Sequence, residues 1–172
     1  MLTKIDLCSM ALLKIGENPI QSLTDDSAPA KLARTLFDVV MDSVISSHPW
    51  RFATQVLDLT KNTDGDFLIP GNVLRVLKTS GRINGNKITC DGDTTQITAI
   101  VKTPPESFPG YFVSLAATRL AMEFCIPLMG DQTVFRMLTA LYETELQTAK
   151  FIDSTTAPSA GIPDFSLVNV RF

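Results

Sequence analysis

One continuous apolar stripe between two clear helix boundaries constrains the fold of this chain most. Its residues are Ala33, Leu36, Phe37, Val40, Met41, Val44 and Ile45. Ser27 and Pro29 suit an N-cap and a first helical turn, and His48-Pro49 ends the pattern after about five turns. A helix with one apolar face packs that face against other elements. The pattern therefore predicts that this helix is part of a packed helical body.

Three further helices are predicted around this one. Thr3 and Asp6 resemble a capping box for a short first helix that stops at Gly16. A third helix, over about residues 112–128, is apolar almost all round and is expected to be central. The fourth helix carries its apolar face on Phe135, Leu138, Tyr142, Leu146 and Ala149.

The middle third of the chain changes to short apolar runs separated by turn residues. Such punctuation predicts a small antiparallel β-meander over residues 55–101. The expected fold class is α+β and mainly α: a four-helix bundle with this β-meander between helices 2 and 3, and an extended C-terminal tail. We expect one domain over residues 1–153, with its helical body in 3–52 and 107–153.

The tail divides into two parts. Small and polar residues with Pro158 and Gly161 predict a flexible linker from residue 154 onward. A hydrophobic, β-prone strip follows, which suits strand addition or groove docking on a neighbour. Its candidate docking residues are Phe165, Leu167, Val168, Val170 and Phe172. The alternative is that this strip completes the core of its own subunit.

The composition indicates a surface that other subunits cover. The chain is 45% hydrophobic and only 19% charged, which is below the charged fraction of an average soluble domain. A large exposed apolar area on a monomer would be an aggregation hazard, so coverage by other subunits is the preferred explanation.

No catalytic or cofactor-binding set is recognisable. His48 is the single histidine, so a Ser-His-Asp triad or a histidine metal cluster lacks parts. Cys8, Cys90 and Cys125 are far apart and are expected to be reduced thiols of a protein made in a cytoplasm. We therefore predict that the protein is not an enzyme, with no metal and no cofactor.

Neither nucleic acid nor membrane is predicted as a binding partner. The net charge is −3, and no dense Lys/Arg face is present to displace the counterions of DNA. Arg119 and Glu123 interrupt the most apolar segment, so a membrane span is not expected. These two residues stand one helical turn apart and form a candidate ion pair, either within the bundle or between subunits.

An ordered set of sparse motifs resembles the head-tail connector adaptor family of tailed phages and gene transfer agents, including tail tubular protein A. The resemblance extends over roughly residues 5 to 153. The matching pieces are Leu12-x-x-Ile15-Gly16-Glu17-x-Pro19-Ile20, Trp50-x-Phe52, Ile69-Pro70-x-x-Val73-Leu74-Arg75-Val76, Ala99-Ile100-Val101-Lys102, Pro104 to Phe108, Phe112-x-x-x-Ala116-Ala117-x-Arg119-Leu120-Ala121 and Ile126-Pro127-Leu128.

This resemblance implies a ring of identical subunits, usually twelve, below the portal vertex of the capsid. Such a ring joins the portal protein to a downstream tail or nozzle protein and lines the channel through which DNA passes without specific binding. The protein would then be made in the bacterial host cytoplasm and lie at the head-tail junction of the virion. The C-terminal segments of such adaptors are expected on the portal.

A small helix-turn-helix DNA-binding regulator, built on the first two helices, is the alternative from another class. Its recognition helix should begin with several Arg or Lys residues. Here that end carries Asp25 and Asp26, which would repel phosphate. The adaptor is therefore the preferred hypothesis.

Overall fold

The computed structural model describes residues 1–63 and 65–155. Within them, four helices form the body and six short strands lie between the second and the third helix. The helices are α1 (Lys4–Lys14), α2 (Ala28–Ser47), α3 (Gly110–Met129) and α4 (Gln132–Thr155). The strands are β1 (Thr54–Thr60), β2 (Phe67–Leu68), β3 (Val73–Thr79), β4 (Arg82–Asn84), β5 (Lys87–Thr89) and β6 (Thr94–Val101). The predicted α+β, mainly helical fold class is confirmed.

The boundaries of α1 and α2 follow from their capping residues. Thr3 and Asp6 form a reciprocal capping box, in which the Thr3 N–H donates to Asp6 Oδ2 over 2.8 Å. These hydrogen bonds to Thr3 hold the pKa of Asp6 below its ordinary value. Gly16 follows α1 in the left-handed region, with φ 81°, as the predicted stop requires. Ser27 caps α2 by accepting a hydrogen bond from the Ala30 N–H.

The body is built around α3. Leu115, Leu120 and Phe124 are fully buried, and each contributes about 1.5–3 kcal/mol through the apolar surface that it removes from water. By length and composition alone α3 could cross a membrane, but 56% of its most apolar stretch is buried inside the protein, as in a core helix. Pro127 does not end α3, which continues to Met129.

An aromatic cluster locks the end of α2 to the start of α3. Trp50 is fully buried, and its indole Nε1 donates to the Val44 carbonyl over 3.1 Å. Its ring meets Phe112 edge to face, with 5.2 Å between the centroids. Phe52 and Phe108 extend the cluster toward the turn that precedes α3. The chain therefore leaves the helical body and returns to it at one place.

The strands form two antiparallel sheets, ordered β1-β6-β3 and β2-β5-β4. The first sheet differs from a simple meander because β6, the last strand in the chain, lies at its centre. The burial of β6 explains this position: Ile97, Ala99 and Ile100 are all fully buried. Side chains from both sheets, including Phe67 and Ile88, form a second apolar cluster between the sheets.

The fourth helix continues beyond the predicted start of the linker. Ser154 and Thr155 form the last residues of α4, and their hydroxyls donate to the carbonyls of Phe151 and Ile152. These local bonds satisfy polar groups that were expected to favour a linker. The predicted apolar face of α4 does pack against the body, with Leu138 and Ala149 buried.

Candidate assembly surfaces

One stripe on the exposed side of α4 is uncharged and partly apolar, and the exposed residues Arg136 and Glu143 lie beside it. We call it the α4 face, and it consists of Met137, Leu141, Thr144, Thr148 and Phe151. Met137 and Phe151 are 68% and 69% exposed, which is unusual for such large apolar side chains. The hydroxyls of Thr144 and Thr148 donate to carbonyls one turn earlier in the same helix, so both already have a partner within α4. The face therefore offers apolar contact area along about four turns of helix.

The last turn of α4 is fastened to the body by a buried carboxylate. Asp153 is 3% exposed and accepts hydrogen bonds from the Arg51 N–H at 3.2 Å and from the Tyr111 hydroxyl at 2.6 Å. Burial, and then the bond to Asp153, raise the pKa of Tyr111 above its ordinary value. The chain beyond α4 thus starts from a fixed point beside the entrance to β1.

The five docking residues predicted in the C-terminal strip, Phe165, Leu167, Val168, Val170 and Phe172, lie outside the described residues. The other predicted pair is described. Arg119 and Glu123 form an ion pair along α3, with 2.7 Å between Nη2 and Oε1, and both side chains are about one-third exposed. A partly exposed pair at this spacing contributes a few tenths of a kcal/mol. Its predicted role between subunits stays a prediction.

A polar cluster joins three helices in the middle of the body. Glu145 of α4 accepts hydrogen bonds from the hydroxyls of Ser114 and Thr118 on α3. Lys14 of α1 lies 3.5 Å from the Glu145 carboxylate and donates to Thr118 over 2.8 Å. Because Thr118 is fully buried, this cluster fixes the positions of α1, α3 and α4 relative to one another.

A charged rim surrounds an apolar pocket of about 280 Å³ between α1, α2 and the turn before α3. Lys4 bridges to Asp38 at 2.8 Å, and Lys102 bridges to Asp42 at 3.0 Å. The bond from Lys4 lowers the pKa of Asp38, and the bond to Asp42 raises the pKa of Lys102. The rim is balanced, with two cations and two anions, so it favours neither an acidic nor a basic ligand.

The groups that could support catalysis are dispersed. His48 lies edge to face against Trp50 at 4.6 Å, and burial lowers its pKa below the ordinary value. Burial also raises the pKa of Cys8 to about 12, so this thiol stays protonated. Within residues 1–63 and 65–155, no three His, Cys, Asp or Glu side chains gather in a way that could hold a metal.

Neither the α4 face nor the hydrogen bonds of Asp153 were predicted from the sequence. The α4 face has a visible signal, because Met137, Leu141 and Phe151 are separated by four and ten residues, which places them on one side of a helix. The core-facing stripe of the same helix is the stronger apolar pattern and masks this second one. Asp153 has no such signal, because its partners Arg51 and Tyr111 are distant in the chain.

Comparison with known proteins assigns the chain to a family. A family model described as tail tubular protein matches residues 5–134, which is more than half of the chain and runs from α1 into the first turn of α4. No curated protein matches the chain. Members of the matching family are structural components of phage tails, and hence of the virion, and are typically not enzymes. The chain belongs to the tail tubular protein family.

Proposed function

We propose that this protein is a head-tail connector adaptor whose identical subunits, twelve in number, form a ring below the portal. The ring joins the capsid to a downstream tail or nozzle protein and lines the channel through which DNA leaves. The observation that carries the proposal is the exposed α4 face on a chain of the tail tubular family. A closed ring requires two different surfaces on each subunit that bind each other, and the α4 face supplies one of them.

The charge of the protein supports a passive channel wall. With 15 basic and 18 acidic residues the subunit is slightly acidic, so a ring of such subunits does not hold the phosphate backbone of DNA. The regulator hypothesis would require cations at the start of a recognition helix. The chain just before α2 instead carries Asp25 and Asp26, and Ser27 caps the helix.

The C-terminal strip has an assembly role in this proposal. Phe165, Leu167, Val168, Val170 and Phe172 dock on the portal or on a neighbouring subunit, where their apolar side chains fill pockets and their backbone adds hydrogen bonds. Residues 156–172 then connect a ring built from the helical body to the proteins above it.

Charge placed on the α4 face tests the proposal. In a variant with Met137→Lys and Phe151→Lys, we expect the free energy of unfolding to stay within about 0.5 kcal/mol, because both side chains are exposed. Binding to the purified portal, followed by light scattering, should weaken at least about tenfold because lysine removes apolar contacts from the ring interface.

Val39→Lys is the matched control for this variant. Val39 is 68% exposed, like Met137, but it lies on α2. The Val39→Lys variant should assemble as the unaltered chain does. If the α4 variant assembles normally, or if both variants fail equally, the α4 face is not the specific ring interface.

A further inference from the structure

The two edges of the first sheet differ in how they are protected against pairing with another strand. At the β3 edge, two register shifts interrupt the ladder with β6, and Arg75 donates to the Ser46 carbonyl over 2.9 Å. Lys78 adds a second, exposed charge to this edge. Bulges and basic residues are the usual means by which proteins block edge-to-edge pairing.

The β1 edge has none of these protections. β1 pairs with β6 in an unbroken register from Thr54↔Ile100 to Thr60↔Thr94. It contains neither Pro nor Lys, and the carboxylate of its one charged residue, Asp58, accepts a hydrogen bond from Gln96 of β6. In the described part of the chain, β6 is the strand that pairs along the length of β1. Just beyond the C-terminal end of β1, Lys61 forms a bridge with Phe67 of β2, so the open part of the edge lies before that point. Val56, which is 58% exposed, offers apolar area for a cross-strand pair.

The position of the end of α4 indicates which segment pairs with this edge. Asp153 binds the Arg51 N–H, and Arg51 precedes β1 by three residues. The linker residues 156–164 can span up to about 30 Å when extended, and residues 165–172 match the seven-residue β1 in length. Tethering at this distance gives an effective concentration in the millimolar range, which favours the segment of the same chain over that of another copy.

We propose that the outer edge of β1 receives residues 165–172 of the same chain as a fourth strand of the sheet in the free subunit. This proposal refines the docking role given above to the C-terminal strip. The strip and the β1 edge each cover a surface of the other that would otherwise invite aggregation. On assembly the strip leaves β1 for its place on the portal or the neighbouring subunit.

Amide hydrogen exchange of the free subunit tests this pairing without the portal, so the result is independent of the ring proposal. In the full chain, the β1 amides that point away from β6 should exchange at least about tenfold more slowly than in a chain truncated after Pro158. The amides of β6 serve as the internal reference, because they report global unfolding. Equal exchange of β1 in the two chains, with equal exchange of β6, would overturn the proposal.

A pair of proline substitutions separates strand pairing from a general effect of truncation. Successive N–H groups of a strand point to opposite sides, so Val168→Pro with Asn169→Pro removes one donor toward β1 in any register. This variant should exchange like the truncated chain, whereas the linker substitution Ser159→Pro should leave β1 protected. Protection that survives the first variant, or that disappears when the full chain is diluted, contradicts pairing within one chain.

Discussion

At the scale of single residues, the buried carboxylate of Asp153 contributes more to the stability of the fold than the surface ion pairs do. In Asp153→Ala, the Arg51 N–H and the Tyr111 hydroxyl lose their acceptor. We expect the free energy of unfolding to fall by about 1–2 kcal/mol, because two part-buried hydrogen bonds to a buried carboxylate are lost. Thermal unfolding should show this as a decrease of several degrees in Tm.

Glu143→Ala is the matched control for that substitution. Glu143 is an acidic residue of the same helix, but it is exposed. Its removal should change the free energy of unfolding by no more than about 0.5 kcal/mol. If Asp153→Ala is as mild as this control, the carboxylate does not fasten the end of α4.

The single histidine gives the protein a defined response to acid. Burial lowers the pKa of His48 below its ordinary 6.5, so the folded state favours the neutral ring. Above pH 6.5 the ring is neutral in both states, and His48 does not reduce the free energy of unfolding. As the pH falls from 6.5 toward the folded-state pKa, the unfolded chain binds a proton more readily, so the free energy of unfolding decreases. We expect His48→Gln to lack this part of the decrease. A difference in unfolding free energy between the two proteins that stays constant from neutral pH to pH 5 would contradict this interpretation.

At the scale of elements, Gly81 allows the link between β3 and β4 to pack closely against β5. A Cβ atom there would lie 2.5 Å from Ile88 Cγ2 and 2.8 Å from the Thr89 carbonyl oxygen. Gly81→Ala should therefore cost about 1–3 kcal/mol of unfolding free energy and should loosen β4 and β5, which chemical denaturation and hydrogen exchange can measure. Gly71→Ala is the control, since nothing lies within 4 Å of its added Cβ. Similar values for both variants would contradict the close packing at Gly81.

The helices were predictable from the sequence because their causes are local. The signals for α2 are its apolar stripe and its caps, and the signal for α3 is its nearly uniform apolar character. All of these come from residues in or next to the helix itself. The order of the first sheet was not predictable, because it depends on pairing Thr54 with Ile100 across the whole β-segment. The partners of Asp153 were hidden for the same reason: Arg51 is 102 positions away in the chain.

At the scale of the whole molecule, the charge distribution predicts that the protein does not bind DNA. We expect no measurable binding of duplex DNA at physiological salt, because 18 acidic residues outnumber 15 basic ones and no basic face is present in the sequence. A gel-shift titration measures this directly. A submicromolar, salt-sensitive shift would instead favour the helix-turn-helix regulator.

Removal of the tail separates assembly from stability. A chain truncated after Pro158 should keep its Tm to within a few degrees, because the body up to α4 retains its core, but it should no longer join the portal. Circular dichroism and portal pull-down measure the two effects. A fall in Tm of about ten degrees or more would mean that the strip belongs to the core of the subunit.

Electron microscopy of the portal complex tests the central claim most directly. Purified portal mixed with the full chain should show an added ring of density below the portal, with one adaptor subunit for each portal subunit and an open central channel. The same images of portal mixed with the Met137→Lys and Phe151→Lys variant should lack that ring. If portal particles never show added density with the unaltered chain at saturating concentration, the protein is not a head-tail connector adaptor.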